Sequence, residues 1–228
     1  MDLRGYNLSD QPKGVENYKF DKLVGDVDAV VRHFGQEKAT LVGHDWGGFI
    51  SWCYAMAHPD KTDRLVLLNI PHPRCLEREL ANNPEQQQAS DYARLFQQLP
   101  EGGRTIPYKG VTYELTPELF AGGFKDENVR EKYLEALRRS SIDAMMNYYK
   151  SNFPRPPYQE RTYPPVKCPV LMIHGLDDPF LLPGALNDTW RYVEKDFTLV
   201  TVPKAGHWVQ YDAPELVTKL LVGWLTRE

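Results

Sequence analysis

Cysteine is scarce in this 228-residue chain: Cys53, Cys75 and Cys168 are all there is. They are too few and too scattered for a disulfide framework or a zinc site. An excess of positive charge is also missing. Lys and Arg total 27 against 31 Asp and Glu, a formal net charge of -4, so there is no electrostatic footprint for nucleic acid or an anionic membrane. No apolar run approaches the roughly 20 residues of a spanning helix. The opening Met1-Asp2-Leu3-Arg4-Gly5-Tyr6 has no signal-peptide pattern. Internal repeats are absent, and the only biased tract is the short Gln86-Gln87-Gln88 run. The hydrophobic share of 42% and charged share of 25% are ordinary, which excludes a long disordered chain. A soluble, cytoplasmic globular protein remains, of one large domain or one domain with an insertion. No metal or cofactor is expected.

Four short apolar runs read as buried strands: Thr40 to Gly43, Arg64 to Ile70, Pro169 to His174 and Phe197 to Val202. Each is rich in Val, Ile or Leu, and unalternating runs suit a parallel sheet covered on both faces. Helical patterns flank them. Leu23, Val27, Val30 and Phe34 precede the first strand, and Phe49, Trp52, Cys53 and Met56 follow it. Leu216, Val217, Leu220, Leu221 and Trp224 close the chain. Alternating strands and helices indicate an α/β fold. From Pro71 to about Pro165 no convincing strand run occurs. Tyr92-Leu95-Phe96-Leu99 and Ile142-Met145-Met146-Tyr149 are amphipathic at helical spacing, with Val129, Tyr133 and Leu137 between them. The expectation is a helical insertion between the second and third strands.

The sharpest motif is Gly43-His44-Asp45-Trp46-Gly47-Gly48, after a strand and before a helix. Glycines two residues either side of Asp45 are the steric mark of a nucleophile elbow, where a strand turns sharply into a helix. The bland alternative is a glycine-rich turn with a helix-capping Asp. Esterases place Ser at the centre. A carboxylate, with an ordinary pKa of about 3.9, is already ionised at neutral pH and can attack saturated carbon unaided. The resulting ester needs water and a base. Of six histidines, His207, in Ala205-Gly206-His207-Trp208, alone lies after a strand and before the terminal helix. An orienting acid is available in Gly175-Leu176-Asp177-Asp178-Pro179: Asp178 is the first choice and Asp177 the runner-up. Asp pairs before Pro are also ordinary turn formers. The order nucleophile, acid, base is that of the Ser-centred hydrolases.

On these motifs, with Asp2-Leu3-Arg4-Gly5-Tyr6 and Ser9-Asp10 ahead of them, the chain resembles the epoxide hydrolases of the α/β-hydrolase fold along nearly all its length. The resemblance implies a mostly parallel sheet flanked by helices, with a core of residues 1–70 and 166–228 and a helical cap at 71–165. It implies hydrolysis of a small apolar epoxide to a vicinal diol by way of an ester on Asp45, resolved by water that His207 and Asp178 activate. Two cap tyrosines bind and protonate the epoxide oxygen in that family. The matching segments here are Tyr92-Ala93-Arg94-Leu95-Phe96-Gln97 and Asn147-Tyr148-Tyr149-Lys150. Helical spacing puts Tyr92 and Tyr149 on apolar faces and turns Tyr148 elsewhere, although core packing alone would also place tyrosines there. Trp46 would give its backbone N–H to the ester oxyanion. His44 is expected to pack rather than ionise.

One family segment is missing. No His-Gly-x-Pro precedes the elbow, and that segment donates the second oxyanion N–H in the family. The expectation is therefore an N-terminally truncated member lacking the first strands. Its nucleophile strand becomes a sheet edge, open to pairing with another chain. Two other functions compete with epoxide hydrolysis. A haloalkane dehalogenase shares His-Asp-Trp-Gly but needs no acid for its leaving group; the paired tyrosines favour the epoxide. A non-catalytic remnant would follow from the absent oxyanion segment.

Overall fold

A computed structural model describes residues 1–159 and 161–226. The chain gathers into two compact units, Met1–Leu23 with Ser90–Arg155, and Val24–Ala89 with Pro156–Glu228. These boundaries differ from those drawn at 71 and 165. The N-terminal segment groups with the inserted helices, and the stretch from 71 to 89 groups with the sheet.

The larger unit is built on four parallel strands, β1 (Ala39–His44), β2 (Thr62–Leu68), β5 (Val170–Gly175) and β6 (Phe197–Val202), adjacent in that order. All residues of β5 are buried, as an unalternating Val-Leu-Met-Ile run demands. The register pairs His44 with Leu68, Leu68 with Ile173 and Gly175 with Val202. The carboxyl ends of the strands are thus level, and the loops that follow open on one edge of the sheet, where α/β folds place their ligands. On one face Val66, Leu68, Leu171, Ile173 and Val202 bury against Val209, Val217 and Trp224. Of the last two, α10 (Pro214–Leu225) supplies both, while α9 (Val209–Asp212) supplies the first. Helices α2 (Trp46–Ala57), α3 (Pro73–Asn82) and α4 (Pro84–Ala89) also belong here.

Helix α1 (Phe20–His33) buries Leu23, Val24, Val27 and Val31. The expected face of Leu23, Val27, Val30 and Phe34 is corrected by one step. Phe34 lies beyond the helix and is exposed, because Gly35 in a left-handed conformation ends the helix there. β1 is an edge strand of the sheet among the described residues, as expected, and its Val42 is 52% exposed.

In the smaller unit, α5 (Asp91–Gln98), α6 (Pro117–Ala121), α7 (Glu127–Arg139) and α8 (Ile142–Asn152) accompany an antiparallel hairpin of β3 (Thr105–Tyr108) and β4 (Val111–Glu114). The reading of 71–165 as purely helical is corrected by this hairpin. Lys109 and Gly110 both have positive φ, the two-residue turn whose twist matches paired strands. Phe96, Ile106, Leu115, Met145 and Met146 form the unit's apolar cluster. Tyr148 turns the other way, as expected, and is fully buried between Tyr6 and Tyr18, its hydroxyl donating to the Arg4 carbonyl at 2.7 Å. Among the described residues no helix is long and apolar enough to cross a membrane.

Candidate active site

The elbow forms where β1 meets α2. Asp45 has φ 50 and ψ -124, a conformation that L side chains rarely adopt and that the surrounding turn must enforce. Gly43 and Gly48 make the turn sterically feasible, whereas at Gly47, expected to be the second constrained position, a Cβ would meet nothing within 4 Å. A Cβ on Gly43 would lie 2.5 Å from the Gly47 carbonyl oxygen, and one on Gly48 would lie 2.3 Å from the Ile70 side chain. The side chain of Asp45 remains 32% exposed at the sheet's carboxyl edge.

Loops after β5 and β6 bring the other two groups. A Cβ on Gly175 would meet the Gly206 carbonyl at 2.3 Å, so the two loops run backbone to backbone. The Asp177 N–H donates to the Ala205 carbonyl at 2.9 Å. The Nε2 of His207 lies 3.3 Å from the Asp45 carboxylate, and its Nδ1 lies 2.9 Å from Oδ2 of Asp178. Asp45, His207 and Asp178 are therefore brought together in one unit. Asp177 is exposed and Asp178 buried, so it is Asp178 that meets His207.

Asp178 is saturated with donors. Besides His207, its Oδ2 accepts from Asn69 at 2.8 Å, and its Oδ1 accepts from the N–H groups of Phe180 and Leu181 at 2.9 and 3.1 Å. Burial would raise its pKa, but the bonds from His207 and Asn69 and the His207 charge hold it below the usual carboxylate range. Asp45 follows the same pattern. Burial opposes ionisation, and His207 together with the Trp46 N–H outweighs it, so Asp45 is held low. His207 is the converse case. Its burial favours the neutral ring, yet the two carboxylates push it up to about 10. The free site is an imidazolium between two carboxylates.

His44 is held toward its neutral form. Burial and the His207 charge lower its pKa, and its Nε2 lies 2.8 Å from the His207 carbonyl oxygen, to which the neutral ring donates. Phe180 and Trp208 stand edge-on to the His207 ring, with centroids 5.2 and 5.1 Å away. Sequence reasoning missed Asn69 and Gln86. Gln86 is fully buried and holds the acid loop by donating to the Phe180 carbonyl and accepting from the Leu182 N–H, at 2.7 and 2.8 Å.

Tyr92 and Tyr149 lie in the smaller unit. Their rings meet edge to face, with centroids 5.9 Å apart, and Phe96 packs on both. Both are half-buried, Tyr92 on α5 and Tyr149 on α8. Among the described residues no cluster of His, Cys, Asp and Glu could hold a metal ion.

The family model of the alpha/beta hydrolase fold matches residues 1–214. The chain is 32% identical to the AB hydrolase superfamily protein YfhM of Bacillus subtilis, over 100% of this chain and 79% of that one. It is 31% identical to human epoxide hydrolase 4 over 100% of this chain, and it spans 64% of that relative's length, a little under two thirds. Among solved structures, a mutant of an epoxide hydrolase from Bacillus megaterium superposes with a TM-score of 0.84 at 30% identity, covering 99% of this chain and 82% of that one.

Proposed function

The chain belongs to the alpha/beta hydrolase fold family, and from that premise we propose that it hydrolyses epoxides to vicinal diols through a covalent ester on Asp45. The observation that carries this reading is an ionised Asp at the elbow, 3.3 Å from a histidine that Asp178 orients. An elbow Asp attacks carbon directly, and the names of the relatives supply the substrate class.

In the first half-reaction an Asp45 carboxylate oxygen attacks a ring carbon from behind. The ring C–O bond breaks, and the departing alkoxide takes a proton from Tyr92 or Tyr149. We assign these two tyrosines on the family resemblance and on their pairing at the end of an apolar cluster. The segment 71–165 would act as the cap. In the second, His207 takes a proton from water, and the hydroxide attacks the carbonyl carbon of the ester. The Trp46 N–H, already bonded to the Asp45 carboxylate, receives the developing oxyanion. Collapse expels the alkoxide, which takes the proton of the hydroxyl just added at the Asp45 carbonyl carbon, so the diol leaves and Asp45 returns as a carboxylate. Electrostatics time the base. The Asp45 charge helps to hold the proton on His207 in the free site, and esterification removes that charge. His207 then falls back toward its ordinary range, gives up its proton to solvent as the tyrosinate left by ring opening regains one, and can accept a proton from the attacking water.

No cofactor enters these steps. The sheet edge at β1 would be the place for a second copy to pair. The free Cys53, Cys75 and Cys168 suit a reducing, cytoplasmic setting.

The test is a single turnover with enzyme in excess over styrene oxide in ¹⁸O-water, followed by mass spectrometry of the peptide holding Asp45. The label is expected in Asp45, because water attacks the enzyme's own carboxyl carbon. Label found only in the diol would mean direct attack of water on the epoxide. A chloroalkane run in parallel is expected to give no halide; halide release without diol would favour the dehalogenase. No turnover of either would favour the non-catalytic remnant.

A further inference from the structure

Asn69 closes β2 at the same edge of the sheet as the triad, and its conformation is unusual. Its φ is 44, in the left-handed region, and its side chain is fully buried. All its side-chain bonds go to the loops that carry the acid and the base. Nδ2 donates to Oδ2 of Asp178 at 2.8 Å and to the Gly206 carbonyl at 3.1 Å, while Oδ1 accepts from the Gly175 N–H at 3.3 Å. Its backbone N–H donates to the Ile173 carbonyl at 3.0 Å. One carboxamide thus ties β2 to the start of the acid loop, to the acid itself and to the residue before His207.

We propose that Asn69 is the positioning residue of this site, fixing Asp178 and the His207 loop so that the imidazole is aimed for ester hydrolysis. This rests on the ester mechanism above. Two features argue that the arrangement is selected for the site rather than for packing. A leucine of similar size would fill the volume but would be strained at this left-handed φ and could make none of the three side-chain bonds, whereas Asn tolerates the conformation and makes them all. In addition, Oδ2 of Asp178 is shared between Asn69 and His207, so removing the amide leaves that oxygen held by His207 alone and loosens the pair, while Oδ1 keeps its two backbone donors. Asn69 acts through Asp178 and the Gly175 and Gly206 peptides, and the alkylation step uses none of them.

Two variants keep the backbone legal at positive φ. Asn69→Gly removes the side chain, and Asn69→Asp keeps its shape but donates only when protonated. The titratable groups around position 69 are Asp178, His207, His44, His174 and Asp45. In Asn69→Gly, ester formation is expected at the wild-type rate, while ester hydrolysis slows by roughly 10- to 100-fold, the range for losing a hydrogen bond to a charged group. In Asn69→Asp, the hydrolysis rate relative to wild type is expected to fall as pH rises, since the new carboxyl loses its proton and repels Asp178. Loss of packing alone would give no such pH trend. A third readout needs no substrate. In ¹⁵N-histidine-labelled protein, the Nδ1-bound proton of His207 should be a protected low-field resonance in wild type and should exchange into solvent in Asn69→Gly. Wild-type hydrolysis rates in both variants, or an unchanged resonance, would overturn the proposal. A wild type that turns over no epoxide counts against the epoxide reading, and the resonance then decides the role of Asn69.

Discussion

Two carboxylates facing His207 favour its protonated ring, and that makes its charge a stability element. Its folded pKa is raised to about 10 from 6.5, so its contribution is fully present below the unfolded value and is lost as pH rises toward 10. Asp45 and Asp178 are held low, so theirs is present above the ordinary carboxylate range and is lost as pH falls below it. His207→Gln removes the group that links them. Thermal unfolding of this variant and of wild type should therefore differ most between about pH 4 and 6.5, with the gap closing toward pH 10. The same variant should still form the ester and then stall, visible as one substrate mass added to the intact protein. Steady turnover at the wild-type rate would remove His207 from the role of base, and a stability gap independent of pH would mean that the two carboxylates do not raise its pKa. At this scale the sequence was informative where chemistry and spacing coincide: Asp45, Asp178 and His207 each follow a strand. Asn69 also stands at the end of a strand, within the run read as Arg64 to Ile70, but an amide there signals no chemistry. A buried Asn after a strand reads as a turn former until the loops it bridges are seen together.

Elements were legible in proportion to their periodicity. The four core strands were each expected to within two residues of where they lie, because buried runs of Val, Leu and Ile have few other readings. The β3–β4 hairpin was missed because its alternation is weak. Of its residues only Ile106 is buried, and Pro107 argues against a strand anywhere but at an edge. Helix α8 shows what spacing can do. Consecutive tyrosines fall on opposite faces, Tyr149 with Met145 and Met146, Tyr148 with Tyr6 and Tyr18. That separation predicts distinct phenotypes. Tyr92→Phe with Tyr149→Phe should slow ring opening by about 10²-fold or more, the scale of general acid catalysis, with little change in stability. Tyr148→Phe should spare ring opening and cost about 1 kcal/mol, since the half-buried Arg4 carbonyl loses its donor. Stopped-flow ring opening and denaturant unfolding on the same samples separate the two. Unchanged ring opening in the double variant would return Tyr92 and Tyr149 to core packing.

For the molecule as a whole, the sequence foretold an α/β sheet with an insertion but not the grouping of the chain. Residues 1–23 look like an approach to the first strand, yet they join the inserted helices through bonds that no local pattern reveals. The Ser141 N–H donates to the Gly5 carbonyl at 3.0 Å, and Asn152 donates to the Tyr18 carbonyl at 2.7 Å. Strand β1, by contrast, stands at the edge of the sheet among the described residues, as expected. An edge strand presents unpaired N–H and C=O groups, and here its exposed Val42 adds an apolar side chain with no charge to discourage pairing. A net charge of only -4 gives little repulsion against self-association. These 228 residues are therefore expected to associate as concentration rises, with β1 against β1 of a second copy. Val42→Lys places a charge on that strand and should shift sedimentation toward the monomer. It leaves every triad hydrogen bond in place, so single-turnover ester formation should match wild type at low concentration. A wild-type chain that sediments as a monomer across the whole concentration range would show that the edge is already protected, and association equal in both proteins would locate the contact elsewhere.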